Sequence, residues 1–284
     1  MEEAIRKADV LIEALPYIKN FHKKVIVIKY GGSILGEEKI RKGVLEDIVF
    51  LNFMGLRAVL VHGGGPHISE RLRAQGQKAE FFDGMRVTDK KTIKIVEEEL
   101  ENLNQTIVNE IAELGAVAVG LNGKEDKIIK AEKKKADVDL GLVGHIVDIN
   151  TEAITEELRK DAVVVILPMA RGRGKTIYNV NADEAAANIS VGLKAEKLVL
   201  LTNVKGIMRN ADDPNSFIST LSVEDAKGLI ENNIIQEGMI PKVKACINAL
   251  GAGVKKTHIV DARIPHGLLL EIFTDKGIGT EIIK

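Results

Sequence analysis

Val25-Ile26-Val27-Ile28-Lys29-Tyr30-Gly31-Gly32-Ser33 and Ala58-Val59-Leu60-Val61-His62-Gly63-Gly64-Gly65-Pro66 are the two stretches that decide how this chain folds. A short apolar run bounded by glycine reads as a strand of a parallel sheet, buried on both faces. Ligands of open α/β sheets bind at the carboxyl ends of such strands. Consecutive glycines let backbone N–H groups turn toward an anion with no side chain in the way. Two such turns at one sheet edge, the first carrying Lys29, predict a site for phosphate oxygens. Pro66 opens a helix behind the second turn, and a helix N-terminus favours an anion.

Outward from these turns the pattern alternates. Ile5, Ala8, Leu11, Ile12, Leu15 and Ile18 fall at helical spacing over 3–18, a helix that Pro16 should kink or end. Its apolar stripe packs either on its own domain or on a partner subunit. Helices are read over 39–54, 66–75, 92–114, 154–160, 181–192, 223–231, 242–250 and 266–273. Strands are read over 116–121, 162–167, 197–201 and 256–260, with short strand-like stretches in 78–89. Residues 128–147 read as an antiparallel hairpin interrupted by Gly141 and Gly144. The alternation predicts a mostly parallel sheet covered on both faces. A soft lobe boundary falls in the glycine- and charge-rich stretch 168–175.

Composition excludes several classes. Lys+Arg 40 against Asp+Glu 41 leaves no basic field for nucleic acid. Lys133-Lys134-Lys135 is a local exception, read as a solvated surface turn. Aromatic content of 4% without tryptophan offers few stacking platforms. The single Cys246, in an apolar stretch, reads as a buried thiol in a reducing compartment. No segment is apolar enough to span a bilayer and no signal-peptide order is present, so a cytoplasmic location is expected.

Further motifs carry chemistry. Gly174-Lys175-Thr176 resembles the end of a P-loop, but Met169 stands where that motif needs glycine. Arg86, between Met85 and Val87, has a fork suited to a carboxylate, against the plainer reading of an ordinary strand arginine. Asn179 and Asn181 face one side if extended, and Asp183 falls in the first turn of an alanine-rich helix, where capping is the plainer role. Lys242 stands at a helix start, where the dipole disfavours a cation, which points to an anionic partner. The histidines have no metalloprotease spacing and no serine elbow occurs, so protein-held metal and hydrolytic triads are not expected.

Together IKYGGS, VHGGGP, GMRVTD, DLGLVG, YNVNAD, GMIPKV and the ending HIVDARIPHGLLLEIFTDKGIGTE resemble the amino acid kinase family over essentially the whole chain. The resemblance implies a three-layer α/β/α sandwich around an open, mostly parallel sheet. It divides the chain into an oligomerising N-terminal helix (1–24), an acceptor-binding lobe (25–172) and an ATP-binding lobe (173–284). It implies ATP- and Mg2+-dependent phosphorylation of the side-chain carboxylate of N-acetyl-L-glutamate, as in arginine biosynthesis, with the metal carried by the nucleotide. Lys29 and Lys242 would contact the transferring phosphoryl and ATP phosphates, with Asp183 holding both ammonium groups. Backbone amides of Gly31, Gly32, Gly63, Gly64 and Gly65 would line the phosphate. Gly64, Gly65, Arg86, Asn179 and Asn181 would bind the acceptor, and Thr202, Asn203 and Lys242 the nucleotide. Asn203 departs from the family's usual aspartate, which leaves the ribose and adenine contacts open.

Both ends of the chain resemble the arginine-inhibited, hexameric branch, a trimer of dimers joined by interlaced N-terminal helices. The match makes Tyr17, Lys205, His258, Glu271 and Gly277 candidates for an arginine site, against a plain packing role for each. Binding of a nitrogen-signalling PII protein is left open. Two rival readings stay in view: a carrier-linked aminoadipate or glutamate kinase of the same fold, and a non-catalytic arginine-sensing module.

Overall fold

The computed structural model describes residues 1–125, 127–210, 213–236, 238–274 and 277–284. Its central sheet has eight strands: β1 (Val25–Tyr30), β2 (Arg57–His62), β3 (Ala118–Asn122), β4 (Val163–Leu167), β5 (Lys197–Thr202), β6 (Thr220–Ser222), β7 (Lys256–Asp261) and β8 (Thr280–Ile283). They lie in the order β6-β8-β7-β5-β1-β2-β4-β3. Every pairing is parallel except β7 with β8. The four inner parallel strands β1, β2, β4 and β5 are buried along most of their length, as continuous β-branched runs require.

The described residues form ten α-helices, most of them packed on this sheet: α1 (Glu2–Phe21), α2 (Gly32–Leu35), α3 (Glu38–Phe53), α4 (Gly65–Ala74), α5 (Thr92–Glu113), α6 (Glu152–Arg159), α7 (Ala182–Gly192), α8 (Val223–Glu231), α9 (Met239–Gly251) and α10 (Gly267–Ile272). Alternation along β1 assigns the faces. Ile26, Ile28 and Tyr30 pack with residues of α3, α5 and α10, whereas Val27 packs with α6, α7, α8 and α9. Lys29 shares the face of Val27, and this parity sends its ammonium toward α7 and α9. The mostly parallel sandwich predicted above is the observed fold.

A smaller four-stranded sheet joins Ile129–Lys133, Gly144–Ile149, Met169–Arg171 and Ile177–Asn179. The predicted 128–147 hairpin is its first half; the second half is a hairpin whose first strand, Met169–Arg171, falls inside the 168–175 stretch and whose second, Ile177–Asn179, follows it. Residues 78–89 form a minimal hairpin, Phe81–Phe82 against Met85–Arg86. Pro16 does not end α1, which runs on to Phe21. The proline removes one donor, but Tyr17 and Phe21 beyond it pack on the core, and that burial outweighs the missing bond. Strands β6 and β8 escape sequence reading because three or four residues are too few to show a period. The lysine triplet is more engaged than a free surface turn: Lys133 pairs with Asp139 and Lys134 with Glu184.

Among the described residues no helix is long and apolar enough to cross a membrane. Cys246 is fully buried, and burial pushes its thiol up to about 12.

Candidate functional site

The carboxyl ends of β1, β2 and β5 open into a cleft of about 1140 Å³. Its floor is the meeting of the two glycine turns. Gly31 and Gly64 are the residues before α2 and α4, so the first amides of both helices lack intrahelical partners and face outward. The turns touch backbone to backbone: a methyl group on Gly32 would come within 2.8 Å of the Gly65 nitrogen and 3.1 Å of the Gly64 nitrogen. A methyl group on Gly64 would meet Leu100 of α5 at 2.8 Å. Glycine is thus demanded at Gly32 by the backbone opposite, whereas a side chain at Gly64 would push aside the tip of Leu100. Gly63 donates to Tyr30 O at 3.0 Å, tying the second turn to the first strand, so its amide, expected among the phosphate-lining donors, is already spent on a backbone bond.

Above this floor stand the three charged side chains singled out in the sequence. Lys29 Nζ lies 2.9 Å from Asp183 Oδ1, and Lys242 Nζ donates to Asp183 Oδ2 at 2.9 Å. Lys29 and Asp183 side chains are each only 7% exposed, so this is a desolvated triad rather than a surface pair. Burial alone would raise the Asp183 carboxyl, yet the two ammonium groups outweigh it and hold the group down at about 2. Burial lowers the Lys29 ammonium, with Lys242 adding to the effect and Asp183 opposing it. One carboxylate serving two cations leaves a net positive site, which an anion would complete. Helix α9 starts at Met239, so Lys242 stands one turn inside it, with Asp183 as its counter-charge.

Asn181 caps α7, its side-chain oxygen accepting from Asp183 N at 2.9 Å and Glu184 N at 3.1 Å. The capping role is real, and it also fixes where Asp183 leaves the helix. Asn179 donates to Thr88 Oγ1 at 3.2 Å, and Thr88 donates to Arg86 O at 2.8 Å. Arg86 is 6% exposed; its Nη2 donates to Gly65 O and Ser69 Oγ, both at 2.7 Å. Its guanidinium stacks on Phe81 at 4.7 Å, and its Nη1 is buried with no partner. Arg86, Asn179 and Asn181 line the same cleft as Gly64 and Gly65, with Arg86 bonded directly to Gly65 O. Thr202 and Asn203 also line it, at the end of β5.

Arg209, Asn210, Asn233 and Gln236 also line the cleft, and the sequence reading had missed them. They sit in short loops without pattern or motif, so nothing in the sequence marked them. Among the described residues no group of three or more His, Cys, Asp or Glu side chains is placed to hold a metal.

The remaining candidates lie away from this cleft. His258 Nδ1 is 2.6 Å from Glu271 Oε1, and Glu271 Oε2 accepts from Ile278 N at 2.7 Å and Gly279 N at 2.8 Å. Gly277 packs beside the same carboxylate, and a methyl group there would reach Glu271 Oε1 at 2.7 Å. Tyr17 of α1 meets Phe273 edge-on at 6.3 Å, just past α10. Lys205 follows β5 and bears on Asp261 at the end of β7. Asp275 and Lys276, quoted in the C-terminal motif, lie outside the described residues.

The family model for the amino acid kinase family matches residues 24–261. The chain is 50% identical over 283 residues to an acetylglutamate kinase of Caldanaerobacter subterraneus subsp. tengcongensis, covering 99% of this chain and 95% of that protein. It is 44% identical over 295 residues to an acetylglutamate kinase of Heliobacterium modesticaldum, covering all of both. Among solved structures it is similar to N-acetylglutamate synthase from Neisseria gonorrhoeae complexed with coenzyme A and N-acetyl-glutamate. That likeness has a TM-score of 0.87 at 27% identity, over 98% of this chain and 63% of the other. Carbamate kinase from Giardia lamblia bound to AMP-PNP shares the fold, with a TM-score of 0.66 at 17% identity over 92% of this chain and 99% of that one.

Proposed function

The chain belongs to the amino acid kinase family, and from that premise we propose that it phosphorylates the side-chain carboxylate of N-acetyl-L-glutamate with ATP, a step of arginine biosynthesis. The observation that carries the reading is the Lys29–Asp183–Lys242 triad standing over two abutting glycine turns. A glutamate-type carboxylate, with an ordinary pKa of about 4.3, is already ionised at neutral pH and needs no base. One of its oxygens attacks the γ-phosphorus while the bond to the β–γ bridging oxygen breaks, so an acyl phosphate and ADP form and no proton moves. The catalytic problem is to align two anions and offset their repulsion.

Lys29 and Lys242 approach the phosphoryl oxygens in this scheme, and the Gly32 and Gly64 amides line the developing charge. Asp183 orients the lysines and takes no proton, in keeping with its low pKa. Arg86 directs its unpartnered Nη1 to the α-carboxylate of the acceptor, while Asn179 and Asn181 lie near the acetamido group. Thr202, Asn203 and Lys242 hold the nucleotide. Mg2+ comes with the ATP phosphates and supplies further neutralisation. In this reading residues 25–172 bind the acceptor and 173–284 the nucleotide.

Arginine inhibits, binding between α1 and the C-terminal half near Tyr17, Lys205, His258, Glu271 and Gly277. Support comes from the buried, unpartnered Nε2 of His258 and from the packing of Tyr17 beside α10. The test is ADP release from full-length protein with ATP and N-acetylglutamate, with and without arginine. Turnover on N-acetylglutamate is expected; turnover only on a carrier-linked acceptor, or none at all, overturns the reading.

A further inference from the structure

Behind the second glycine turn lies a hydrogen-bonded chain that the phosphoryl transfer above does not use. His62, the last residue of β2, is fully buried. Its Nδ1 is 3.1 Å from Gly63 O, and its Nε2 is 3.2 Å from Nδ2 of Asn104, a buried residue of α5. The same Asn104 nitrogen donates to Val165 O of β4 at 3.1 Å. These partners leave one arrangement of protons. The Val165 carbonyl can only accept, so the amide nitrogen of Asn104 faces it, and the second N–H of that nitrogen points at His62. Nε2 is then the bare acceptor, and Nδ1 carries the proton and donates to Gly63 O. Burial pushes the imidazole down to about 4, so the neutral ring is the form present at neutral pH.

The consequence reaches the cleft through one peptide plane. In a trans peptide the C=O and the following N–H point in opposite directions, and among the described residues no peptide is cis. Drawing the Gly63 carbonyl back to His62 aims the Gly64 N–H forward, where the Gly64 nitrogen lies against Gly32. A peptide between two glycines has no side chain to bias its orientation, so an outside clamp decides it.

We propose that Asn104 and His62 are positioning residues that lock the Gly63–Gly64 peptide with its N–H toward the reacting anions, the Val165 carbonyl setting the polarity of the lock. The proposal rests on the reading of the glycine turns as the site of phosphoryl transfer. It is tested by 15N-histidine NMR on the full chain and by steady-state kinetics with ATP and N-acetylglutamate. His62 is expected to be Nδ1-protonated. Asn104→Leu should mix the two tautomers and lower kcat roughly 10- to 100-fold with the KM for ATP little changed. His62→Asn, which keeps a donor near the Nδ1 position, should retain more turnover than His62→Leu at comparable melting temperature, and this pair decides the matter should Asn104→Leu fail to fold. An Nε2-protonated His62, a folded Asn104→Leu protein with wild-type kcat, or equal turnover in the two His62 variants overturns the lock. Absence of kinase activity in the wild type would instead overturn the function, and the tautomer of His62 would still judge the lock.

Discussion

Asp183 concentrates the electrostatics of this protein in one side chain. It separates two ammonium groups that would otherwise repel in a desolvated space, and each oxygen faces one of them at 2.9 Å. Lys29→Ala or Lys242→Ala should each cut kcat by about 10² or more, as loss of a charge-stabilising group does. Rates of ADP release measure this, and wild-type turnover in either would remove that lysine from the chemistry. The pH dependence follows from the carboxyl's depressed value of about 2, against roughly 3.9 in an unfolded chain. A depressed carboxyl contributes stability that is present above pH ~4 and is lost as pH falls toward ~2. Asp183→Asn should therefore flatten the acid limb of the stability profile between those values, read from urea midpoints across pH. Arg86 makes a separate claim: its planar fork is divided between Gly65 O, Ser69 and an unpartnered Nη1. Arg86→Lys keeps the charge but loses the fork, so the KM for the acceptor should rise more than the KM for ATP.

At the scale of elements, the residues proposed to act are placed by strand ends and helix starts. The alternation of β1 sends Lys29 to the face shared by α7 and α9, and the cap at Asn181 sets where Asp183 emerges. Asn181→Ala should cost about 1 kcal/mol of stability, the usual loss for an N-cap. It should also lower kcat, because Asp183 N is one of the two amides that the cap holds. Thermal melts and kinetics on the same protein check both; a stability loss with untouched kcat would leave Asn181 as a cap alone. The legibility of the site follows the same division. Lys29, Lys242 and the glycines were readable because each sits at a boundary that strand and helix patterns mark. Asn104 was not, since a polar residue in the middle of an amphipathic helix carries no mark of what it meets. Arg209 and Gln236 were not, because their loops have neither period nor motif.

For the molecule as a whole, the eight strands run as one sheet, with β1 and β5 paired at its centre directly beneath the cleft. The two lobes in the proposed function are the two halves of that sheet. Helix α1 stands out from it: Ile5, Val10, Leu11, Ile12 and Leu15 are all more than half exposed, an apolar surface that water does not favour. If this stripe joins dimers into a hexamer, light scattering on full-length protein and on protein lacking residues 1–20 should give a hexamer and a dimer. Equal oligomer sizes would refute that role.

Local patterning alone determined that β-branched runs alternate with amphipathic helices, that glycine turns follow the first two strands, that Lys29 stands beside the first turn and that Lys242 stands at a helix start. These are properties of neighbours in sequence, governed by strand and helix periods and by the freedom of glycine. No local pattern placed Asp183 between Lys29 and Lys242, a pairing that the family resemblance had implied and the tertiary structure brings to 2.9 Å. Only the tertiary structure decided that β8 runs against β7 and that Asn104 reaches His62. Contacts between residues far apart along the chain depend on which faces of which elements are buried together, and no local period encodes that choice.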